Sequence, residues 1–453
     1  MNKDNRVNID SECKEGVSLV QAVLLVVGIV IGSGVFFKPS VIFGNAGAPG
    51  MGILAWIVGA SITMAGALTI AEIASVIPKS GGMFVYLKEL YGERIAFLYG
   101  WVQAVIYYPG MIAAVAMIFA IQSTSFIDIS PMSQKLLAVG VIIFITVVNI
   151  LSTEFGTKCN TLFAIGKLVP IGLIIIFGLL KGDVHSFTPV ISENTTVAGF
   201  GAALLGVLFA YEGWVSVANI AGEMENPSKN LPKAIVLGLT ISTIVYVGIN
   251  LALVNTISVD QIVASAKPAS EAAIVLFGPT GEKIVATGIL VSLVGCLSAV
   301  IMTGARMPQA MAEDKLFPFK NFFGKINEKR NTPSNALIFQ GVVACLYALS
   351  GSFNTVADLA VFVIWLFFII GIGGVFKLRK DFKHIIKKDS YKVPLYPIVP
   401  IVGILGATYV VVSTIITSTT TALIAIGITA IGLPVYSYIK KKNIVKSEEK
   451  MAV

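Results

Sequence analysis

The uncharged run from Val17 to Phe37 is long enough to cross a bilayer as a helix, yet it contains its own interruption. Within Gly28-Ile29-Val30-Ile31-Gly32-Ser33-Gly34-Val35-Phe36-Phe37, the triplet Gly32-Ser33-Gly34 has low helix propensity and little side chain to hold a turn. In lipid, a broken helix is tolerated only where its freed backbone groups line a protein cavity or find partners in one. A break here predicts a new helix N-terminus near Val35, with N–H groups and the positive dipole end at mid-membrane depth. Such an end attracts an anion, and a carboxylate is a natural occupant. Close helix packing through small residues is the alternative use of Gly32, Ser33 and Gly34.

The rest of the chain has the same character. Its 453 residues are 56% apolar and 13% charged, with a mean hydropathy of +0.86, which predicts an all-α, polytopic membrane protein. Polar residues occupy positions 1–16 and the first apolar run is too long for a cleavable signal peptide. The formal charge of +8 does not point to nucleic acid, because the basic residues sit in short stretches between apolar runs. Cys13, Cys159, Cys296 and Cys345 show neither metal-ligand spacing nor a pairing pattern. With His185 and His384 as the two histidines, no metal site and no histidine-based catalysis is expected, nor any cofactor. No nucleophile–base constellation lies within the spans, so an intramembrane enzyme is not expected either.

Twelve spans are predicted, near 17–45, 51–77, 94–122, 133–152, 158–180, 198–222, 232–256, 281–306, 334–350, 355–377, 396–417 and 420–439. With both termini cytoplasmic, roughly 27 of the 33 Lys and Arg residues face inward, about five outward, and one lies inside a helix. An odd number of spans or the opposite orientation destroys that asymmetry. Span six carries a second interruption, Phe209-Ala210-Tyr211-Glu212-Gly213-Trp214. Two interruptions five spans apart, in helices running in opposite directions, predict an inverted repeat of five helices each. The organisation is then a cytoplasmic segment 1–16, repeats at 17–180 and 198–377, a loop with helices eleven and twelve at 378–439, and a basic tail at 440–453.

Single polar residues inside the spans stand out. Lys167 lies well inside span five, where a buried ammonium costs about 2.5–3.5 kcal/mol on insertion scales and needs partners. Snorkelling to the interface is its alternative, and a lowered proton affinity would make it a proton site. Glu212 is a mid-membrane carboxylate that either contacts a basic substrate or turns to water and neighbouring donors.

Five segments together resemble one family. They are Ile31-Gly32-Ser33-Gly34-Val35-Phe36, Ile77-Pro78-Lys79-Ser80-Gly81-Gly82, the span-six segment Phe209 to Trp214, Gly222-Glu223-Met224-Glu225-Asn226-Pro227 with Asn230-Leu231-Pro232-Lys233-Ala234, and Val393-Pro394-Leu395-Tyr396-Pro397. The chain resembles the L-type amino acid transporter family of the amino acid–polyamine–organocation (APC) superfamily, on the side of its bacterial serine/threonine exchangers. The resemblance implies the five-plus-five fold with discontinuous helices one and six, and sodium-independent exchange of small neutral L-amino acids such as serine, threonine, alanine and cysteine in the plasma membrane. It implies that Gly32, Ser33 and Gly34 receive the substrate carboxylate, and that carbonyls of Val30, Phe209, Ala210 and Glu212 receive the α-ammonium. Lys167 would place its ammonium near the first break, where sodium-coupled relatives of this fold hold an ion. Ser298 in span eight has no adjacent hydroxyl to help cage sodium. Phe209 and Trp214 flank the second break; packing is the bland account of both, and a gate over the substrate is the one the resemblance implies. Tyr246 in span seven matches a tyrosine on the cytoplasmic side of the site, with binding, coupling and packing all open. The loop from Gln122 to Gln134 lacks the cysteine through which eukaryotic members attach a heavy chain, so no disulfide-linked partner is expected. Two rival functions remain: a proton-coupled symporter with Lys167 titrating, and an amino-acid-gated channel or sensor.

Overall fold

The structure is a computed structural model that describes residues 17–77, 81–152, 160–215, 224–327, 332–386 and 390–451. The N-terminal segment 1–16, Cys13, Cys159, the Pro78-Lys79-Ser80 part of the second motif and the Gly222-Glu223 part of the fourth lie outside those residues. So does span six beyond Val215.

The first span is broken where its glycines predict. Helix α1 (Leu19–Val30) starts on a capping box: Ser18 accepts from the Gln21 N–H and the Gln21 side chain accepts from the Ser18 N–H. It ends at the break, and α2 (Gly34–Ala46) leaves it at 55°. There follow α3 (Pro49–Val76), the short α4 (Gly82–Tyr91), α5 (Glu93–Ser123), α6 (Pro131–Leu151) and α7 (Asn160–Lys181). Next come α8 (Val197–Ala210), α9 (Pro227–Thr256), α10 (Val259–Ala264) and α11 (Pro268–Glu313), the last bent at Gly278 where φ is 73°. The chain continues through α12 (Lys320–Phe323), α13 (Ser334–Ser350), α14 (Phe353–Asp381), α15 (Ile398–Thr417) and α16 (Thr419–Met451). Among the described residues, eight helices are long and apolar enough to cross a membrane, and the bent α1–α2 pair makes a ninth. Helices α8 and α13 are apolar but shorter.

Inside α5, the turn Gln103–Tyr107 widens to π geometry. Pro109 has no N–H to offer the carbonyl of Val105, and the Tyr347 hydroxyl of α13 donates to that carbonyl instead at 3.2 Å. Gln340, on the same face of α13 two turns away, donates to the Ala104 carbonyl at 2.9 Å. The backbone groups released by the proline are therefore met by side chains rather than by water.

The packing has a pattern. Helices α5 and α11 lie against each other; α5 also touches α6, α13 and α14, and α11 also touches α13, α6 and α7. Helix α3 meets α9 and α14, while α9 meets α3 and α7. Helix α8 packs on α2 and α3, and α1 packs on α9. Exchanging the set α1–α2, α3, α5, α6, α7 with the set α8, α9, α11, α13, α14 leaves these neighbours unchanged. Helices α15 and α16 stand outside that exchange, α15 against α3, α8 and α14, and α16 against α5 and α14.

One buried ion pair ties α3 to α14 and to the loop before α15. Arg379 donates from Nε and Nη2 to the two carboxylate oxygens of Glu72, both at 2.7 Å. The Val393 N–H donates to Glu72 Oε2 at 2.6 Å, which accounts for the docking of the Val393-Pro394-Leu395-Tyr396-Pro397 motif. The guanidinium also stacks 3.7 Å from the Tyr396 ring centre. With Glu72 1% exposed, Glu72→Gln strands a guanidinium and should destabilise the protein by about 3–5 kcal/mol, seen as a lower melting temperature of the detergent-solubilised chain. A melting temperature equal to that of the parent would refute this role.

Candidate functional site

The break between α1 and α2 meets the end of α8, and glycine makes the meeting possible. A Cβ added to Gly34 would lie 2.8 Å from the Ala210 Cα and 3.2 Å from the Phe209 ring, so α2 rests its backbone on the end of α8. Gly213 adopts φ 104° and faces Ile29 of α1, whose Cγ2 would be 2.5 Å from an added Cβ. The first break thus lies against the second on both of its sides.

A helix that stops in the membrane leaves its last carbonyls without intrahelical donors. For α1 these are supplied from two directions. Lys167 of α7 donates to the Gly28 carbonyl at 2.6 Å and to the Ile31 carbonyl at 3.0 Å, placing a cation at the negative end of the helix dipole. Tyr246 of α9, fully buried, directs its hydroxyl to the Val30 carbonyl and the Ala210 carbonyl, each at 2.7 Å. One phenol proton is therefore shared between the C-terminal ends of α1 and α8. Trp56 of α3 and Tyr211 back this phenol, with ring centres 5.1 and 4.9 Å from it, and the Tyr211 hydroxyl donates to Thr243.

The opposite end of the first break is unlike these. The N–H groups of Ser33, Gly34 and Val35, at the start of α2, find no acceptor among the described residues. Ser33 makes no side-chain cap and is 6% exposed. Positive helix-end dipole and unpaired donors thus coincide at Ser33, Gly34 and Val35.

Of the four carbonyls expected to receive an ammonium, Val30 and Ala210 point at the same phenol, and that of Phe209 accepts from the Glu212 N–H at 3.3 Å. The Glu212 side chain leaves Oε2 buried without a partner, within electrostatic reach of Tyr99, Tyr107 and Tyr108 of α5. Phe209 and Trp214 separate. Phe209 meets the Phe353 ring edge-on at 5.8 Å, whereas Trp214 packs on Phe368 and Trp365. Those contacts fall about 18–22 Å apart along α14 at 1.5 Å per residue. Ser298 exchanges hydrogen bonds with Asn149 of α6, at 2.9 and 3.2 Å.

The sequence reading missed Lys38. It marks the end of the uncharged run, yet it lies fully buried in α2 and not at the membrane edge. Its Nζ is 2.9 Å from Asp358 of α14 and lies 4.9 and 5.1 Å from the ring centres of Phe209 and Phe353. The signal was present: one charge of each sign inside predicted spans one and ten, with Lys38 one helical turn beyond Gly34. Among the described residues, no group of three or more His, Cys, Asp or Glu side chains could hold a metal ion.

Residues 17–433 match the family profile described as amino acid permease. The chain is 41% identical to the serine/threonine exchanger SteT of Bacillus subtilis over 96% of its own length and 99% of that protein. It is 30% identical to the mouse b(0,+)-type amino acid transporter 1, covering 88% of this chain and 82% of the relative. The human large neutral amino acids transporter small subunit 2 is likewise 30% identical, over 93% and 80% of the two chains. The chain therefore belongs to the amino acid permease family of the APC superfamily, with L-type transporters among its relatives. It is a multi-pass membrane transporter and not an enzyme.

Two substitutions test the geometry. Gly34→Ala forces backbone apart at Ala210 and should abolish transport, because no flexible side chain is there to yield. Tyr246→Phe leaves two buried carbonyls short of a donor at about 1–3 kcal/mol. Purified Tyr246→Phe protein should melt at lower temperature and transport several-fold more slowly; unchanged values would remove the phenol from the site.

Proposed function

We propose that this chain is a sodium-independent exchanger of small neutral L-amino acids, with serine, threonine, alanine and cysteine as substrates, working by alternating access. The observation that carries the reading is the pairing of unlike helix ends at one place. The amides at the start of α2 suit the substrate carboxylate, and the carbonyls at the ends of α1 and α8 keep lone pairs for the α-ammonium. A zwitterion finds the opposite partial charge at each end. The small neutral range rests on the 41% identity to a serine/threonine exchanger.

Sodium independence is supported by Lys167, whose ammonium is hydrogen-bonded to two carbonyls of the first break and supplies a fixed positive charge there. The exchange symmetry of the packing, with α15 and α16 left over, supports twelve spans built as two inverted five-helix repeats. On the basic-residue distribution, both termini face the cytoplasm of a plasma-membrane protein. Phe209 and Trp214 then act as outer and inner gates. Tyr246 is a coupling residue, since its one proton bridges the two breaks. The loop from 122 to 134, lacking cysteine, supports a chain without a disulfide-linked heavy subunit.

Radiolabelled L-serine uptake into liposomes, in sodium-free buffer without a pH gradient, tests this. Uptake should require internal serine, saturate, and remain after sodium is restored at an unchanged rate. Lys167→Met should slow exchange by roughly tenfold or more, the loss of two charge-assisted hydrogen bonds at the end of α1. Uptake into empty vesicles driven by an imposed proton gradient would overturn exchange in favour of symport, and unsaturable flux would favour a channel.

A further inference from the structure

The connection from α11 to α13 is firmly held and yet turns two phenylalanines outward. Helix α11 closes with the Leu316 N–H on the Met311 carbonyl at 2.7 Å and the Lys315 N–H on the Ala312 carbonyl at 3.0 Å, Lys315 taking the left-handed φ of 59°. Phe317 and Phe323 are buried and meet edge-on at 5.0 Å, and both rings lie against Phe339 of α13, at 6.2 and 5.3 Å. The Asn335 side chain donates to the Phe322 carbonyl at 2.7 Å and ties the far end of α12 to α13. With Phe317 and Phe323 inside, Phe319 is left 82% exposed and Phe322 55% exposed, with Ile326 exposed after them.

The charge around this face is predominantly positive. Lys315 and Lys325 flank it in sequence, and both are exposed. The Asn443 side chain donates to the Lys315 carbonyl at 2.8 Å, which brings the end of α16, with its exposed Lys440, Lys441 and Lys442, to the same turn. The ammonium groups of Lys440 and Lys442 lie over the rings of Tyr436 and Tyr438, 5.9 and 5.8 Å from their centres. The two carboxylates at the end of α11 are engaged. Asp314 pairs with Lys88 at 2.7 Å, and Glu313 accepts from the Gln309 side chain at 3.0 Å.

We propose that this face and the basic end of α16 together seat an anionic phospholipid, with Phe319 and Phe322 entering the acyl region and the lysines holding the headgroup phosphate. Charge complementarity fixes the occupant. An aromatic face alone suits any lipid, but the exposed Lys315, Lys325, Lys440, Lys441 and Lys442 beside it call for a negative headgroup. Lysine stems are long enough to keep their charges at headgroup level while the rings lie deeper. The C-terminal ends of α11 and α16 meet at the Asn443 bond, so one headgroup can reach both, and a bound lipid adds to that bond in holding α16 to α11. That the lipid comes from the cytoplasmic leaflet rests on the orientation proposed above.

Native mass spectrometry of the purified chain in detergent tests the site without reference to transport. With phosphatidylglycerol and phosphatidylcholine of matched acyl chains added in equal amounts, the parent should retain phosphatidylglycerol several-fold more. Lys315→Gln combined with Lys440→Gln, Lys441→Gln and Lys442→Gln should lower phosphatidylglycerol retention roughly tenfold or more and leave phosphatidylcholine as it was. Phe319→Ser with Phe322→Ser should lower retention of both lipids. Lys380→Gln with Lys383→Gln removes exposed lysines around the end of α14 and should match the parent. The proposal is overturned if the parent does not prefer phosphatidylglycerol, or if the substitutions at Lys380 and Lys383 lose as much lipid as those at Lys315 and Lys440 to Lys442. It is also overturned if the phenylalanine substitutions change the oligomeric mass instead, which would make the face a contact between copies of this chain. Labelling of Lys441→Cys, in a cysteine-free background, by a membrane-impermeant maleimide on intact cells would overturn the cytoplasmic orientation, while the retention pattern still decides the lipid site.

Discussion

A backbone group released inside a membrane has no water to turn to, and that constraint shapes the centre of this molecule. Three such places, the ends of α1 and α8 and the widened turn of α5, are answered by a named side chain from another helix. Lys167 and Tyr246 meet the end of α1, Tyr246 also meets the end of α8, and Tyr347 and Gln340 meet the widened turn of α5. These donors come from α7, α9 and α13, so the breaks themselves fix how distant parts of the chain must dock. A lost donor is felt as an unpaired carbonyl and as a loosened helix contact together.

How far the sequence revealed this depends on whether the signal was local. Gly32-Ser33-Gly34 is local: low propensity inside an apolar run can hardly be anything but a break or a packing face, and the structure makes it both. Lys167 was legible because an ammonium among apolar residues demands acceptors, although only the fold says that they are the carbonyls of Gly28 and Ile31. Lys38 was overlooked because it stands at the end of an uncharged run. Its partner lies 320 residues away, and no local pattern joins Lys38 to Asp358. The widened turn in α5 left a trace in Pro109, but the donors that pay for it are again remote. Ser298, which has no adjacent hydroxyl to help cage sodium, bonds to Asn149 and joins α6 to α11.

The charged residues of the interior also divide by what they can release. Glu72 and Arg379 saturate each other and the Val393 amide, which makes their pair a fixed joint. Lys167 is saturated by backbone that belongs to the break, so its charge is tied to the shape of α1. Lys38 has one carboxylate and two aromatic faces, a softer set of partners in which one can be exchanged for another.

The two polarities of the site are likewise treated unequally. The negative ends of α1 and α8 are furnished with donors by the protein itself, in Lys167 and Tyr246. The positive end of α2 is not furnished with an acceptor among the described residues. In the proposed reading a substrate brings a carboxylate to these amides and an ammonium to carbonyls that already hold one hydrogen bond, and every α-amino acid carries both groups. The same inequality bears on the proposed exchange. Moving α2 against its neighbours with its amides unmet costs desolvated donors in a low-dielectric setting, and a bound carboxylate removes that cost. A carrier built this way crosses readily when loaded and slowly when not, which is the kinetic meaning of exchange.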